Sequence, residues 1–181
     1  MNGSTGRVLV IGGARSGKSA YAESLLAGHP RATYVATAPE RPDDHDWAAR
    51  IAAHKLRRPP HWRTVETTDL CGLLRAPQGD RPLLVDSVTA WLTAAMDDAG
   101  SWTDDARAGG RLHERTGELV AAWSGTVAQV VAVTDEVGQG VVPDTYSARL
   151  FRDELGRLNQ QLAAGADRVW LVTAGLPLQL K

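Results

Sequence analysis

The stretch VLVIGGARSGKSA, residues 8–20, decides the fold. Val8, Leu9, Val10 and Ile11 form an unbroken apolar run, the pattern of a strand covered on both faces. The run stops at a glycine pair. From there Gly12, Gly13, Ala14, Arg15, Ser16, Gly17, Lys18 and Ser19 match G-x4-G-K-S/T, the Walker A phosphate loop. Residues 20–26, AYAESLL, then read as a helix with Tyr21, Leu25 and Ala22 facing inward. Strand, glycine turn and helix is the context this motif requires. Glycines let the backbone curl until successive N–H groups converge on phosphate oxygens, and the helix start adds unsatisfied donors and partial positive charge. In such a loop Lys18 neutralises the outer phosphates and Ser19 holds a magnesium ion.

The 181 residues are 43% hydrophobic and 23% charged, enough for one domain, 1–181, with a substantial core. A net charge of −1 gives no electrostatic footprint for nucleic acid or an anionic membrane. Cys71 is the only cysteine, which excludes an intramolecular disulfide and a cysteine-built zinc site. No apolar run approaches a membrane span, and residues 1–7 are too short and polar for a signal peptide. The expected location is therefore cytoplasmic, with no integral membrane segment.

Further along, residues 32–37 read as a second strand, ending before Pro39. A helix is expected over 46–56, with Trp47 and Ile51 on its apolar face and Arg50 and His54 sharing another. Pro59 and Pro60 end it. Short strands follow at 62–66 and 83–86, then a helix to about 97, a loop over 98–102 and a long helix over 104–123. A strand at 127–133, a helix over 146–164 and a strand at 168–172 complete the pattern. Strands and helices alternate, and several strands are apolar throughout. This predicts an α/β fold, a mainly parallel sheet with helices on both faces. Ligands of such sheets sit at the carboxyl ends of strands, which directs attention to 12–19, 37–39, Asp86 and 135–138.

Asp86 closes an apolar strand downstream of the phosphate loop, where a Walker B acid would coordinate magnesium beside Ser19. His54 stands among Arg50, Lys55, Arg57 and Arg58. Such a cluster favours a neutral imidazole and attracts polyphosphate, so His54 is either part of a solvated basic face or a nucleophile toward phosphorus. The other histidines lack this setting, and no histidine pair has metal-binding i, i+4 spacing. Core packing is the expected role of the six tryptophans, with base stacking open for Trp62 beside the basic segment.

Taken together, the phosphate loop, A-R-I-x-x-H at 49–54 and H-W-R-T-V-E at 61–66 resemble a known family. So do Asp86, D-E-V-G-Q-G-V-V-P at 135–143, F-R-D at 151–153 and G-R-L-N-Q at 156–160. The family is the bifunctional adenosylcobinamide kinase/adenosylcobinamide-phosphate guanylyltransferases of cobalamin biosynthesis. The blocks occur in order from the first strand to the last, and the later ones are far more specific than the Walker element. The resemblance implies a P-loop fold related to recombinase ATPase cores, and a homotrimer. It also implies two reactions: phosphorylation of adenosylcobinamide by ATP or GTP, then transfer of GMP from GTP to adenosylcobinamide phosphate through a covalent His54–GMP intermediate. Its catalytic residues fall on His54 and Lys18. Its nucleotide contacts fall on residues 12–19, Thr37, Ala38, Pro39, Lys55, Leu56, Arg57, Arg58, Glu66 and Asp86, with magnesium at Ser19 and Asp86.

Several positions depart from the family pattern: Asp135 stands where Asn is more usual, Ser87 where Cys is common, and Pro42–His45 resembles a small insertion. Two other readings fit the bare motif. One is a single-function P-loop small-molecule kinase, the other a non-catalytic GTP-binding regulator.

Overall fold

Seven strands form one sheet in the order β3-β2-β4-β5-β1-β6-β7, in a computed structural model that describes residues 6–38, 59–76, 78–103 and 105–181. The strands are β1 (Arg7–Gly12), β2 (Thr33–Ala36), β3 (Arg63–Glu66), β4 (Leu83–Asp86), β5 (Val130–Asp135), β6 (Arg168–Thr173) and β7 (Leu176–Gln179). All neighbours run parallel except β6 and β7, which form an antiparallel hairpin at the edge. The described helices are α1 (Lys18–Leu25), α2 (Leu70–Arg75), α3 (Val88–Ala99), α4 (Ala106–Gly125) and α5 (Tyr146–Gly165).

The unbroken apolar runs are explained by two cores. Leu9, Val35, Val85, Val130 and Ala132 point to one face, where α2 to α5 supply Leu70, Trp91, Leu92, Met96, Leu112, Trp123 and Leu158. Val8, Val10, Tyr34, Leu84, Val131 and Val133 point to the other, against Ala22 and Leu26. Period-two alternation therefore separates two apolar sets rather than an apolar from a polar one.

Local chemistry sets the helix boundaries. Ser87 caps α3 by accepting from Ala90 N at 3.2 Å, and Gly100 ends it in the left-handed region at φ 66°. Asp69, Asp105 and Thr145 accept backbone N–H bonds at the starts of α2, α4 and α5. Buried Trp123 donates Nε1–H to Leu162 O at 3.0 Å, tying α4 to α5.

Most expected elements are present with ends moved by a few residues. The strand expected at 127–133 begins instead at Val130, with Val127 fully exposed. Two elements were not expected, α2 and β7. Trp62 is buried in the second core, 7% exposed, so its indole face is not free for base stacking. The helix expected over 46–56 lies outside the described residues.

Candidate functional site

The phosphate loop leaves the carboxyl end of β1, flanked by β5 and β6. Ser16 N donates to Gly13 O at 3.2 Å, closing a tight turn, and Arg15 and Gly17 both take positive φ, 56° and 93°. A backbone that passes in and out of the left-handed region turns its amide N–H groups toward one concavity, an anion nest. Space requires the glycine at 12, and backbone conformation favours the one at 17. A Cβ on Gly12 would lie 2.6 Å from Val172 O and 2.5 Å from Ser16 Oγ. One on Gly17 would meet Gly175 Cα at 3.2 Å. Gly175 N also donates to Ser16 O at 2.8 Å, so the turn between β6 and β7 braces the loop from behind. Helix α1 begins at Lys18, and its N-terminal dipole adds to the positive potential.

Lys18 is the charge at the centre of this loop. Its Nζ lies 2.6 Å from Asp135 Oδ1 and donates to Gly13 O at 3.3 Å. Asp135 ends β5 in register with Gly12, and its backbone is held on both sides. Asp135 N donates to Thr89 Oγ1 at 2.8 Å, and Asn159 Nδ2 donates to Asp135 O at 3.0 Å. Buried Thr134 in turn donates its hydroxyl to Asn159 Oδ1 at 2.7 Å.

Asp86 ends β4, the next strand over, and its Oδ2 accepts from Tyr34 Oη–H at 2.9 Å. The peptide between Asp86 and Ser87 is cis. Thr37, wholly buried just after β2, holds this corner by donating to Ser87 O at 2.5 Å and accepting from Ser87 N at 3.1 Å. Thr37 is thus tied to the backbone beside Asp86, and Ala38 follows it half-buried.

Residues 12–19, Thr37, Ala38 and Asp86 therefore come to one edge of the sheet. Glu66 is exposed at the end of β3, four strands from β1, about 19 Å at ordinary strand spacing. That separation sets Glu66 apart from the phosphate loop. Pro39, His54, Lys55, Leu56, Arg57 and Arg58 lie outside the described residues.

An open groove of about 350 Å3 runs alongside the loop, bordered by Gly13, Arg15, Ser16, Glu136, Gln139 and Thr173. Glu136 is fixed by its N–H bond to Gly12 O at 3.1 Å. Sequence reasoning directed attention to 135–138 but gave Asp135 and Glu136 no role, and it did not bring Thr173 or Gly175 to the site. The signal for the latter pair was a glycine shortly after an apolar strand, which also fits an ordinary turn.

The donors present suit a hard cation: the Ser19 hydroxyl and carboxylates at the ends of β4 and β5. Among the described residues no group of three His, Cys, Asp or Glu side chains could hold a metal by itself. Burial raises the pKa of Cys71, the one thiol, above its ordinary value, and its side chain packs against the first core. No described helix is long and apolar enough to cross a membrane.

A family model described as "Cobinamide kinase / cobinamide phosphate guanyltransferase" matches residues 8–180. The "Bifunctional adenosylcobalamin biosynthesis protein CobU" of Salmonella typhimurium is 42% identical over 181 residues, covering 96% of this chain and 99% of that one. The "Bifunctional adenosylcobalamin biosynthesis protein CobP" of Pseudomonas aeruginosa is 41% identical, covering 97% of each. Among solved structures, a type III secretion system ATPase superposes with TM-score 0.59 at 13% identity, over 93% of this chain and 51% of that one. The ATPase EscN of enteropathogenic E. coli gives 0.54 at 14%, over 94% and 43%. At such identities these two likenesses speak for the fold alone, the P-loop ATPase sheet.

Proposed function

The chain belongs to the cobinamide kinase / cobinamide phosphate guanyltransferase family, and on that premise we propose how its residues divide the two reactions. It is a bifunctional enzyme of cobalamin biosynthesis, a kinase and a guanylyltransferase. The observation that carries the site assignment is the loop from Gly12 to Ser19, with Lys18 at its mouth and the Asp86 carboxylate at the same sheet edge.

In the first reaction the phosphate loop binds the triphosphate of ATP or GTP. Lys18 and the loop amides neutralise charge on the transferring group, which is the main catalytic requirement of phosphoryl transfer. Ser19 and Asp86 hold Mg2+, whose contribution is to screen the phosphate charge. The hydroxyl of adenosylcobinamide attacks the γ-phosphorus and gives up its proton to solvent, the bond from γ-phosphorus to the bridging oxygen breaks, and the nucleoside diphosphate leaves.

In the second reaction an imidazole nitrogen of His54 attacks the α-phosphorus of GTP. The P–N bond forms, the α–β bridging P–O bond breaks, and pyrophosphate leaves with its charge held by the loop. A phosphate oxygen of adenosylcobinamide phosphate then displaces the imidazole, giving adenosylcobinamide-GDP. Splitting one displacement into two keeps GMP activated on nitrogen between them. The support for His54 is its basic surroundings, Arg50, Lys55, Arg57 and Arg58, together with the family segment in which it stands. Arg57 or Arg58 steadies the phosphorus, and Glu66 contacts the nucleoside end of GTP. A single domain, 1–181, carries both activities, as a cytoplasmic homotrimer without nucleic acid partners.

The test is to supply cobinamide, GTP and Mg2+ and to separate the corrinoid products. Wild type should yield cobinamide-GDP. His54→Asn should stop at cobinamide phosphate, and Lys18→Ala should lose both products. Cobinamide phosphate as the only product of wild type would leave a plain kinase.

A further inference from the structure

The most consequential contact outside these assignments is the one between Lys18 and Asp135. Its 2.6 Å separation is that of a charge-assisted hydrogen bond. Both side chains are mostly shielded, with 14% of Lys18 and 25% of Asp135 exposed, so solvent and salt screen the pair weakly. Asp135 also cannot easily withdraw. Its N–H is bound to Thr89 on α3 and its C=O to Asn159 on α5, and Asn159 is itself fixed by buried Thr134. The backbone that carries the carboxylate is therefore fixed at the loop's mouth, and the side chain meets the ammonium on which the reading of this site as a phosphate loop depends.

A phosphate loop gains affinity by offering unopposed positive charge. Here the principal charge is already compensated by a carboxylate carried on an anchored backbone. Phosphates entering the loop must take Lys18 from Asp135, and they must then lie close to a carboxylate stripped of its counter-ion. A cation bound with the phosphates removes the second cost. Without one, like charges face each other in a partly desolvated site.

We propose that Asp135 is a positioning residue that competes with nucleotide phosphates for Lys18 and so makes tight nucleotide binding depend on a divalent cation. This rests on the reading of Lys18 as a phosphate ligand. Asp86 does not duplicate the role, because it lies one strand further away and is engaged by the Tyr34 hydroxyl.

The experiment measures binding of α,β-methylene-GTP, which cannot release pyrophosphate, by calorimetry on the full chain. Wild type, Asp135→Asn and Lys18→Ala are each titrated in EDTA and in excess Mg2+. Asparagine keeps the size of the side chain and an oxygen for Lys18, and removes only the charge. Asp135→Asn should bind the metal-free nucleotide about tenfold more tightly than wild type, with the gap closing to within about threefold in Mg2+. Lys18→Ala should bind weakly in both. Weak binding by Lys18→Ala, together with metal-free affinity of Asp135→Asn equal to or below that of wild type, overturns the proposal and leaves the phosphate-loop reading intact. Wild-type affinity in Lys18→Ala overturns that reading and the proposal with it.

Discussion

At the scale of single residues, the site is an arrangement of charges on fixed supports. Asp86 is held by Tyr34, Asp135 by Thr89 and Asn159, and Lys18 stands at the loop they face. Because magnesium is bound through few protein oxygens, loss of one charged ligand is felt directly. Asp86→Asn should raise the Mg2+ concentration for half-maximal kinase rate by about 10-fold or more, with little change in thermal stability. Rates measured across a Mg2+ series check this, and an unchanged Mg2+ requirement would remove Asp86 from the metal's ligands. The phosphate-loop residues were legible in the sequence because their spacing is itself the chemistry. Asp135 was legible only as a strand end. Its meeting with Lys18 spans more than a hundred positions and depends on β5 pairing with β1, which no local pattern encodes.

At the scale of elements, the loop is braced by its neighbours as well as by its own hydrogen bonds. Gly17 has φ 93° and packs against Gly175 of the β6–β7 turn. Gly17→Ala should therefore cost about 1–3 kcal/mol through backbone strain, lowering Tm by several degrees, and should weaken nucleotide binding as well. Calorimetric melting with a nucleotide titration would show both, and unaltered melting and affinity would contradict the account of the brace. The alternation of strands and helices was readable because each parallel strand is apolar on both faces, as the two cores require. Helix α2 and strand β7 were not. The first is a six-residue helix with little room for periodicity. The second begins right after a glycine, contains Pro177 and is exposed along its length, so it carries no burial pattern. Proline is tolerated there because β7 is an edge strand.

At the scale of the whole molecule, a two-sided sheet makes the site a consequence of the core. Leu9 is fully buried in the first core, two residues before the last apolar residue ahead of the loop. Leu9→Ala should cost about 2–5 kcal/mol, and at this chain length lower Tm by about 2–4 °C per kcal/mol. Denaturant unfolding and calorimetry should agree on that loss, and a cost below 1 kcal/mol would mean the core closes around the gap. The central claim is that one chain carries both phosphoryl and guanylyl transfer, the latter through His54. It is tested most directly by incubating the protein with Mg2+ and GTP labelled at the α-phosphorus, then assaying the protein for bound label. Wild type should carry acid-labile, base-stable label and His54→Asn none. Absence of label from both, with cobinamide still phosphorylated, would contradict guanylyl transfer through a histidine, and equal label on both would move the nucleophile elsewhere.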